Sequence, residues 1–416
     1  MKQYGCIGKK LTHSFSREIH ARLADYEYRL FELAEEEVGP FLKAGEFGAI
    51  NVTIPYKETV IPYLDSISDV ARRIGAVNTI VNRDGRLCGY NTDYYGLKAL
   101  IEEKMGLELR EKKVLILGTG GTSKAARVVA ADLGASEILI VSRRKSDDHI
   151  TYEEAVSLHS DAEILINTTP LGMYPDCDSR PIDLSPFGAM EGVVDAVYNP
   201  LCTNLVLDAR ERGIKAEGGL YMLVMQAVAA VEKFLDREID RGVAIDVYRS
   251  VLLSKENIVL TGMPGSGKST VGALLSLEGY TFADSDEEIE RRAGCPIKEL
   301  IALKGETYFR DLESEVIGDL SAKSATILAT GGGAILREEN VRALKRNGRL
   351  FFLDAPLSRL EATDTRPLSN TREKLTRLFA ERESIYRSTA DLTVPATGTP
   401  EEAAEFILSK RTEVPV

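Results

Sequence analysis

The chain of 416 residues has no tryptophan, only four histidines and only five cysteines. His13, His20, His149 and His159 never fall at HxxH or HxxxH spacing, which weakens any metal site built on paired imidazoles. Cys6, Cys88, Cys177, Cys202 and Cys295 are odd in number, scattered and never in a CxxC pair. Neither a disulfide framework nor a zinc site is expected, and a reducing cytoplasm is the expected setting. No apolar run reaches the ~20 residues of a membrane-spanning helix. The longest, Leu220–Val231, is interrupted by Gln226, and Met1–Lys10 lacks the apolar core of a signal peptide. Positive charge is short as well: Lys+Arg 52 against Asp+Glu 64 gives a net charge of -12. That argues against coating DNA or RNA, which needs clustered positive charge. Neither nucleic acid nor a membrane is an expected partner.

What is present fits a soluble globular protein, with 44% hydrophobic and 28% charged residues. At roughly 150 residues per domain the length suits two or three domains. Short runs of Val, Ile and Leu alternate with helix-like runs, predicting α/β layers with parallel sheets. Strands are expected at Val114–Leu117, Ile138–Val141, Ile164–Ile166, Val193–Val197, Ile258–Leu260, Ile327–Ala329 and Leu350–Leu353. A helix is expected over Asp236–Val247, followed by a seam between the halves at Arg249–Asn257.

Two glycine-rich loops lie far apart, each after a strand and before a helix. The first is Gly118-Thr-Gly120-Gly121-Thr-Ser123. Its glycines let the backbone approach a pyrophosphate seated on the helix N-terminus, although Ser123 stands where a third glycine is usual. A purely structural turn is the alternative. The next strand ends at Val141 and runs into Ser142-Arg143-Arg144-Lys145. An NAD site usually places an acid there for the ribose hydroxyl; arginines suit the 2′-phosphate of NADPH instead. Arg143 and Arg144 are the candidates, against a solvated basic turn.

The second loop, Gly262-Met-Pro-Gly265-Ser-Gly267-Lys268-Ser269-Thr270, matches GxxxxGK[ST] and is the sharpest signal in the chain. Such a loop surrounds phosphates with backbone N–H groups, Lys268 reaches the β/γ-phosphates, and Ser269 binds Mg²⁺. Asp284 and Asp286 follow the run Tyr280-Thr-Phe-Ala. At a strand's carboxyl end, Asp284 would stand on the Mg²⁺ side and Asp286 would orient an acceptor hydroxyl or take its proton. Helix capping by the same residues is the alternative.

These residues match two families. Residues 1 to about 250 resemble shikimate dehydrogenase, and those from about 256 onward resemble shikimate kinase. In the first part, Tyr4-Gly-Cys-Ile-Gly8…Ser14-Phe-Ser16 is similar to the family's substrate loop, which implies that Ser14 and Ser16 hold the shikimate carboxylate. Asn51-Val-Thr53-Ile-Pro-Tyr-Lys57 resembles the stretch bearing the catalytic lysine, here Lys57, with Thr53 near a ring hydroxyl. Gly75-Ala-Val-Asn78-Thr and Asn91-Thr92-Asp93 match two more signatures, so Asn78 and Asp93 would hold ring hydroxyls beside Lys57. Tyr94 replaces a glycine common after that aspartate. Asn167-Thr-Thr-Pro-Leu-Gly-Met173 resembles the loop near the nicotinamide, and Tyr198 and Gln226 match further substrate positions. His13 and His20 read as structural. Ser16 favours shikimate over quinate.

In the second part, Asp284-Ser-Asp286, Gly305-Glu-Thr-Tyr-Phe-Arg310-Asp-Leu-Glu313, Gly331-Gly332-Gly333, Arg366-Pro-Leu and Arg382-Glu-Ser-Ile-Tyr386 follow the kinase family's order. The resemblance implies that Arg310 and Arg382 pair with the acceptor carboxylate and that Glu313 braces Arg310. Gly332 would let a backbone N–H reach the substrate, and Arg366 would act from a lid. The segment from Asp354 to Arg366 is short for the family, and Leu368-Ser369 replaces its usual Leu-Leu, so the lid looks trimmed.

The implied fold is an α/β substrate domain over residues 1–100, completed by a helical segment at about 218–250, a Rossmann-like NADP domain over 101–217, and a P-loop kinase domain over 254–416. The implied activities are NADPH-dependent reduction of 3-dehydroshikimate to shikimate and ATP-dependent phosphorylation of shikimate to its 3-phosphate. The alternatives are a quinate-type dehydrogenase joined to another small-metabolite kinase, or a binding protein that senses nucleotides or shikimate. The oligomeric state stays open, a homo-oligomer included.

Overall fold

Runs of Val, Ile and Leu that are buried on both faces form most strands of the computed structural model, which describes residues 3–11, 15–277, 279–360 and 371–413. Contacts divide the chain into two compact units, Met1–Val251 and Leu252–Pro415.

The first unit holds two sheets. One comprises β1 (Gln3–Gly8), β2 (Tyr28–Glu32), β3 (Phe47–Val52), β4 (Ser66–Ile67), β5 (Thr79–Arg83) and β6 (Arg86–Tyr90), in the order β2-β1-β3-β5-β6-β4. It is mixed, not parallel as the alternating pattern predicts: β5 runs antiparallel to both β3 and β6. The β5–β6 pair is joined by Asp84-Gly85, a two-residue loop with both φ values positive (53° and 89°) that closes a tight hairpin. An Asp-Gly pair between strand-like runs is a strong hairpin signal.

The other sheet comprises β7 (Lys113–Leu117), β8 (Glu137–Ser142), β9 (Ile150–Thr151), β10 (Ile164–Asn167), β11 (Gly192–Asp195) and β12 (Lys215–Glu217). Its order is β12-β11-β10-β7-β8-β9, and every pairing is parallel. Chain order reverses between β7 and β10, and open α/β sheets bind ligands at such a switch point. The strand expected to reach Val197 stops at Asp195. There its carboxylate accepts from Val197 N, Asn167 Nδ2 and Thr203 Oγ1, which turns the chain out of the ladder.

The helix expected at Asp236–Val247 does not form there. Helix Leu220–Leu235 ends with Asp236 in a left-handed conformation (φ 52°), and the next helix is Arg241–Lys255. Asp240 Oδ1 accepts from Gly242 N at 2.8 Å and Val243 N at 3.3 Å, and so sets that start by side-chain capping. Most of the expected seam is therefore helical.

The second unit has one parallel sheet: β13 (Asn257–Thr261), β14 (Thr281–Asp284), β15 (Thr326–Ala329), β16 (Gly348–Asp354) and β17 (Leu392–Pro395), ordered β14-β15-β13-β16-β17. Central β13 is buried throughout. Val259 packs with Ile317, Leu328, Leu344 and Leu350. Each such side chain contributes about 1.5–3 kcal/mol on burial. Asn257 pins the strand's start, donating to Ser321 O and Lys323 O and accepting from Thr326 N. Among the described residues, no helix is long and apolar enough to cross a membrane.

Candidate active sites

Lys57 lies beyond the end of β3, and its carbonyl accepts from Val77 N at 2.8 Å. That bond sets the lysine beside Asn78. Lys57 Nζ donates to Asp93 Oδ2 at 2.5 Å, and Asn78 Nδ2 donates to Asp93 Oδ1 at 2.8 Å. Asp93 is 7% exposed and begins helix Asp93–Ala99. Beside it, Thr92 Oγ1 lies 3.3 Å from Gln226 Oε1 on helix Leu220–Leu235. Lys57, Asn78, Asp93 and Gln226, chosen from the sequence, thus form one connected group. Thr53 follows β3 directly and is half-buried, its N–H donating to Ile7 O. Ser16 opens helix Ser16–Leu23, and Tyr198 stands 5.3 Å from the ring of Phe15. Burial raises the Tyr198 hydroxyl above its usual range. Ser14 lies outside the described residues.

The first glycine loop leaves β7 at the switch point. Gly118 takes φ 104°, Ser123 Oγ donates back to Gly118 O at 2.6 Å, and helix Gly121–Asp132 follows. Ser123 is buried, so it closes the turn from inside where a glycine is usual. The space beside Gly120 is open: a Cβ there would meet nothing within 4 Å. A Cβ on Gly121 would come within 3.2 Å of Lys57 Cδ. The lysine stem therefore runs past the mouth of the loop. Arg143 and Arg144 follow β8 and are exposed, while Lys145 is paired with Glu154. Neither arginine joins the Lys57 group. Both stand on the turn after the strand next to β7, where a ribose phosphate would lie.

Tyr94 is buried, and its hydroxyl donates to Asp132 Oδ2 at 2.8 Å. Arg73 Nη1 donates to the same oxygen at 3.0 Å. Helix Asp93–Ala99 is thereby tied to the helix after the glycine loop, so the tyrosine in place of glycine is a strut between the two sheets' layers.

In the second unit a cleft of about 500 Å³ is lined by the P-loop and by Asp284, Asp286, Arg310, Gly332 and Arg382. Gly262, Gly265 and Gly267 all have positive φ, a region open to glycine at little cost. Lys268 Nζ donates to Gly262 O and Met263 O at 2.8 and 3.0 Å, folding over its own loop. Ser269 and Thr270 open helix Lys268–Ser276, and Ser269 Oγ donates to Asp284 Oδ2 at 2.7 Å. Asp284 Oδ1 also accepts from Asp286 N, so Asp284 caps helix Ser285–Ala293 as well as facing Ser269. Asp286 is exposed to the cleft.

Arg310 Nη1 donates to Glu313 Oε2 at 2.8 Å, and Glu313 is fully buried. Burial pushes the Glu313 carboxyl up, and the Arg310 guanidinium opposes that. Arg382 Nη1 donates to Gly332 O at 2.9 Å, and Tyr386 OH donates to the same oxygen. Each glycine of the triplet answers a different neighbour. A Cβ on Gly331 would fall 2.6 Å from Asp286 Oδ1, on Gly332 2.9 Å from Pro264 Cδ, and on Gly333 2.3 Å from Arg310 Nη1. The triplet is where Asp286, Arg310, Arg382 and the P-loop converge. Arg366 lies outside the described residues.

Several residues near the sites carry no role in the sequence reading, although all but Tyr28 fall within the motifs quoted for the resemblance. Tyr386 sits four residues after Arg382 on one helix face, a spacing that could have flagged it. Tyr28, Asn51, Thr79 and Thr92 are buried polar residues behind Lys57 and Asp93. Only three-dimensional burial sets them apart from ordinary strand and helix-cap residues.

Comparison with known proteins agrees with this geometry. The profile described as "Shikimate dehydrogenase substrate binding domain" matches residues 6–80, and that described as "Shikimate kinase" matches residues 264–411. A shikimate dehydrogenase (NADP(+)) of Clostridium beijerinckii is 39% identical over 265 residues, covering 60% of this chain and 97% of the relative. The crystal structure of shikimate dehydrogenase 1 from Peptoclostridium difficile is 36% identical with a TM-score of 0.56, covering 60% of this chain and 98% of that one. The Thermus thermophilus enzyme in complex with NADP(H) and shikimate is 29% identical with a TM-score of 0.54, covering 60% and 99%. The chain belongs to the shikimate dehydrogenase family through its first part and carries a shikimate kinase domain in its second.

Proposed function

We propose that this protein carries out two consecutive steps on one ring acid: NADPH-dependent reduction of 3-dehydroshikimate to shikimate, then ATP-dependent phosphorylation of shikimate at its 3-hydroxyl. One observation carries the reading. The lysine whose ammonium grips Asp93 passes along the first glycine loop, so the proton donor and the dinucleotide meet at one place.

Reducing a ketone places a hydride on carbon and a proton on oxygen. NADPH, when bound, supplies the hydride. The open space at Gly120, the turn at Gly118 and the helix start at Gly121 fit its pyrophosphate, with Arg143 and Arg144 for the 2′-phosphate. Lys57 donates a proton to the carbonyl oxygen and stabilises negative charge as it develops there. Asp93 holds the ammonium in place and accepts from a ring hydroxyl. General acid help of this kind is worth ~10²–10⁴ in rate. Ser14, Ser16, Thr53, Asn78, Tyr198 and Gln226 would hold the rest of the ring.

Phosphoryl transfer is chiefly positioning and charge neutralisation. Asp286 would orient the acceptor hydroxyl and take its proton, Arg310 and Arg382 would hold the carboxylate, and Lys268 would swing from the loop carbonyls to the phosphates. A hydroxyl and a carboxylate 2.7 Å apart at Ser269 and Asp284 suit a hard cation such as Mg²⁺. Arg366 would neutralise charge on the transferring group.

A coupled assay with 3-dehydroshikimate, NADPH, Mg²⁺ and ATP tests the reading. Both NADPH oxidation and ADP release are expected. Lys57→Ala should abolish the first and spare phosphorylation of added shikimate; Lys268→Ala should do the reverse. Loss of both activities in either folded variant contradicts separate sites.

A further inference from the structure

The Lys57–Asp93 pair is the end of a longer buried chain of donors. Tyr28 OH donates to Asn51 Oδ1 at 2.8 Å, and Asn51 Nδ2 donates to Thr79 Oγ1 at 3.1 Å. Thr79 Oγ1 donates to Asn78 Oδ1 at 3.0 Å, and Asn78 Nδ2 donates to Asp93 Oδ1 at 2.8 Å. Every link points the same way, toward the carboxylate. Tyr28, Asn51 and Thr79 come from β2, β3 and β5, with Asn51 and Thr79 directly opposite each other in the ladder. Tyr28, Asn51, Asn78 and Thr79 are all buried, Thr79 completely.

Thr79 is the middle of this chain. Its oxygen accepts from Asn51, its proton goes to Asn78 at the shorter distance of 3.0 Å, and Thr92 Oγ1 stands farther off at 3.3 Å. The Asn78 oxygen also accepts from Thr92 N at 2.7 Å. Its amide nitrogen is then the end left to face Asp93. Aligned donors in a dry interior polarise one another, so the chain strengthens the bond that reaches the carboxylate.

We propose that Thr79 is a positioning residue for the reduction: its hydroxyl locks the Asn78 carboxamide and through it aims Asp93 at Lys57. The proposal rests on the reading of Lys57 and Asp93 as the proton-handling pair. Removing the hydroxyl leaves shape intact in Thr79→Val, and Thr79→Ser keeps the hydroxyl. We expect Thr79→Val to lower kcat for 3-dehydroshikimate by about tenfold, the scale on which one net hydrogen bond counts. Thr79→Ser should restore most of it. NADPH affinity, measured by its fluorescence, should stay unchanged in both, which reports an intact first unit. Should Thr79→Val fail to fold, Tyr28→Phe removes the first donor of the chain and should lower kcat by a few-fold with unchanged KM. Full kcat in Thr79→Val, an equal loss in Thr79→Ser, or full kcat in Tyr28→Phe overturns the proposal. A parent protein that never oxidises NADPH with 3-dehydroshikimate removes the proposed function instead.

Discussion

Arg310 offers a separation of stability from chemistry. Its side chain is 12% exposed and that of its partner Glu313 is 1% exposed. Glu313 Oε1 is buried with no hydrogen-bond partner among the described residues, so Arg310 is the main support of that carboxylate. Arg310→Met strands it. Breaking a buried pair from one side costs about 3–5 kcal/mol, a large part of the 5–15 kcal/mol that holds a typical protein folded. Replacing both partners with apolar groups is close to neutral. Arg310→Met combined with Glu313→Leu should therefore recover most of the melting temperature lost by the single variant, while neither variant phosphorylates shikimate. The pH dependence has a definite sign. Burial already raises Glu313 and Arg310 lowers it, so without the arginine its folded value rises further above the unfolded value of about 4.3. A group raised on folding contributes stability below its unfolded value and loses it as pH climbs through its folded value. The gap between single and double variants should widen from pH 5 to pH 8. Thermal unfolding across that range measures the gap, and ADP release measures chemistry. Equal melting of the two variants at pH 8, or phosphorylation by the double variant, would refute the argument.

His20 should set part of the acid limit of the first unit. It is buried, its ring lies 4.0 Å from that of Tyr28, and burial lowers it from 6.5 to about 3. A value depressed on folding gives stability that is full above 6.5 and lost as pH falls toward 3, worth at most about 5 kcal/mol. His20→Phe keeps a ring and should move the acid-unfolding midpoint to lower pH; an unmoved midpoint counts against the burial reading. Gly333→Ala should raise KM for shikimate at least about tenfold with reduction unchanged, because the new methyl displaces Arg310, a flexible end that can move without unfolding the unit. Unaltered KM would mean that Arg310 does not meet the acceptor.

The legible parts were those where a local pattern has one physical meaning. GxxxxGK[ST] after an apolar strand admits few structures, and the strand, loop and helix stand where it puts them. Lys57, Asn78, Asp93 and Gln226 come from distant stretches, and nothing in their spacing says that they touch. Resemblance joined them first, and the fold joins them by hydrogen bonds. The helix start at Arg241 was misplaced because Asp236 and Asp240 are equally good local stops. Tertiary context gave Asp236 the left-handed end of one helix and Asp240 the cap of the next. Glycine runs were ambiguous for the same reason. The resemblance singled out Gly332 of the triplet for the substrate, yet Gly331, Gly332 and Gly333 each stand against a neighbour remote in sequence.

The two sites answer one difficulty differently. A chain with net charge -12 repels an anionic ring acid over distance, so attraction must be local. In the first unit the lysine's charge is already matched by Asp93, and the residues proposed for the acid's carboxylate are neutral hydroxyls. Little net field is needed there, because the chemistry asks for one proton at one oxygen. In the second unit Arg310 is matched by Glu313, whereas Arg382 donates to the Gly332 carbonyl, lies against the Tyr386 hydroxyl and acts on Glu313 only through space, with no salt bridge of its own among the described residues. At 7% exposure that guanidinium has no ion-pair partner of its own among the described residues, in a cleft that must also accept a triphosphate. Such a charge costs the empty protein stability and is offset when an anion arrives. The kinase unit thus gains more from its acceptor than the dehydrogenase unit gains from the same molecule, and shikimate should bind the second site with the steeper dependence on salt.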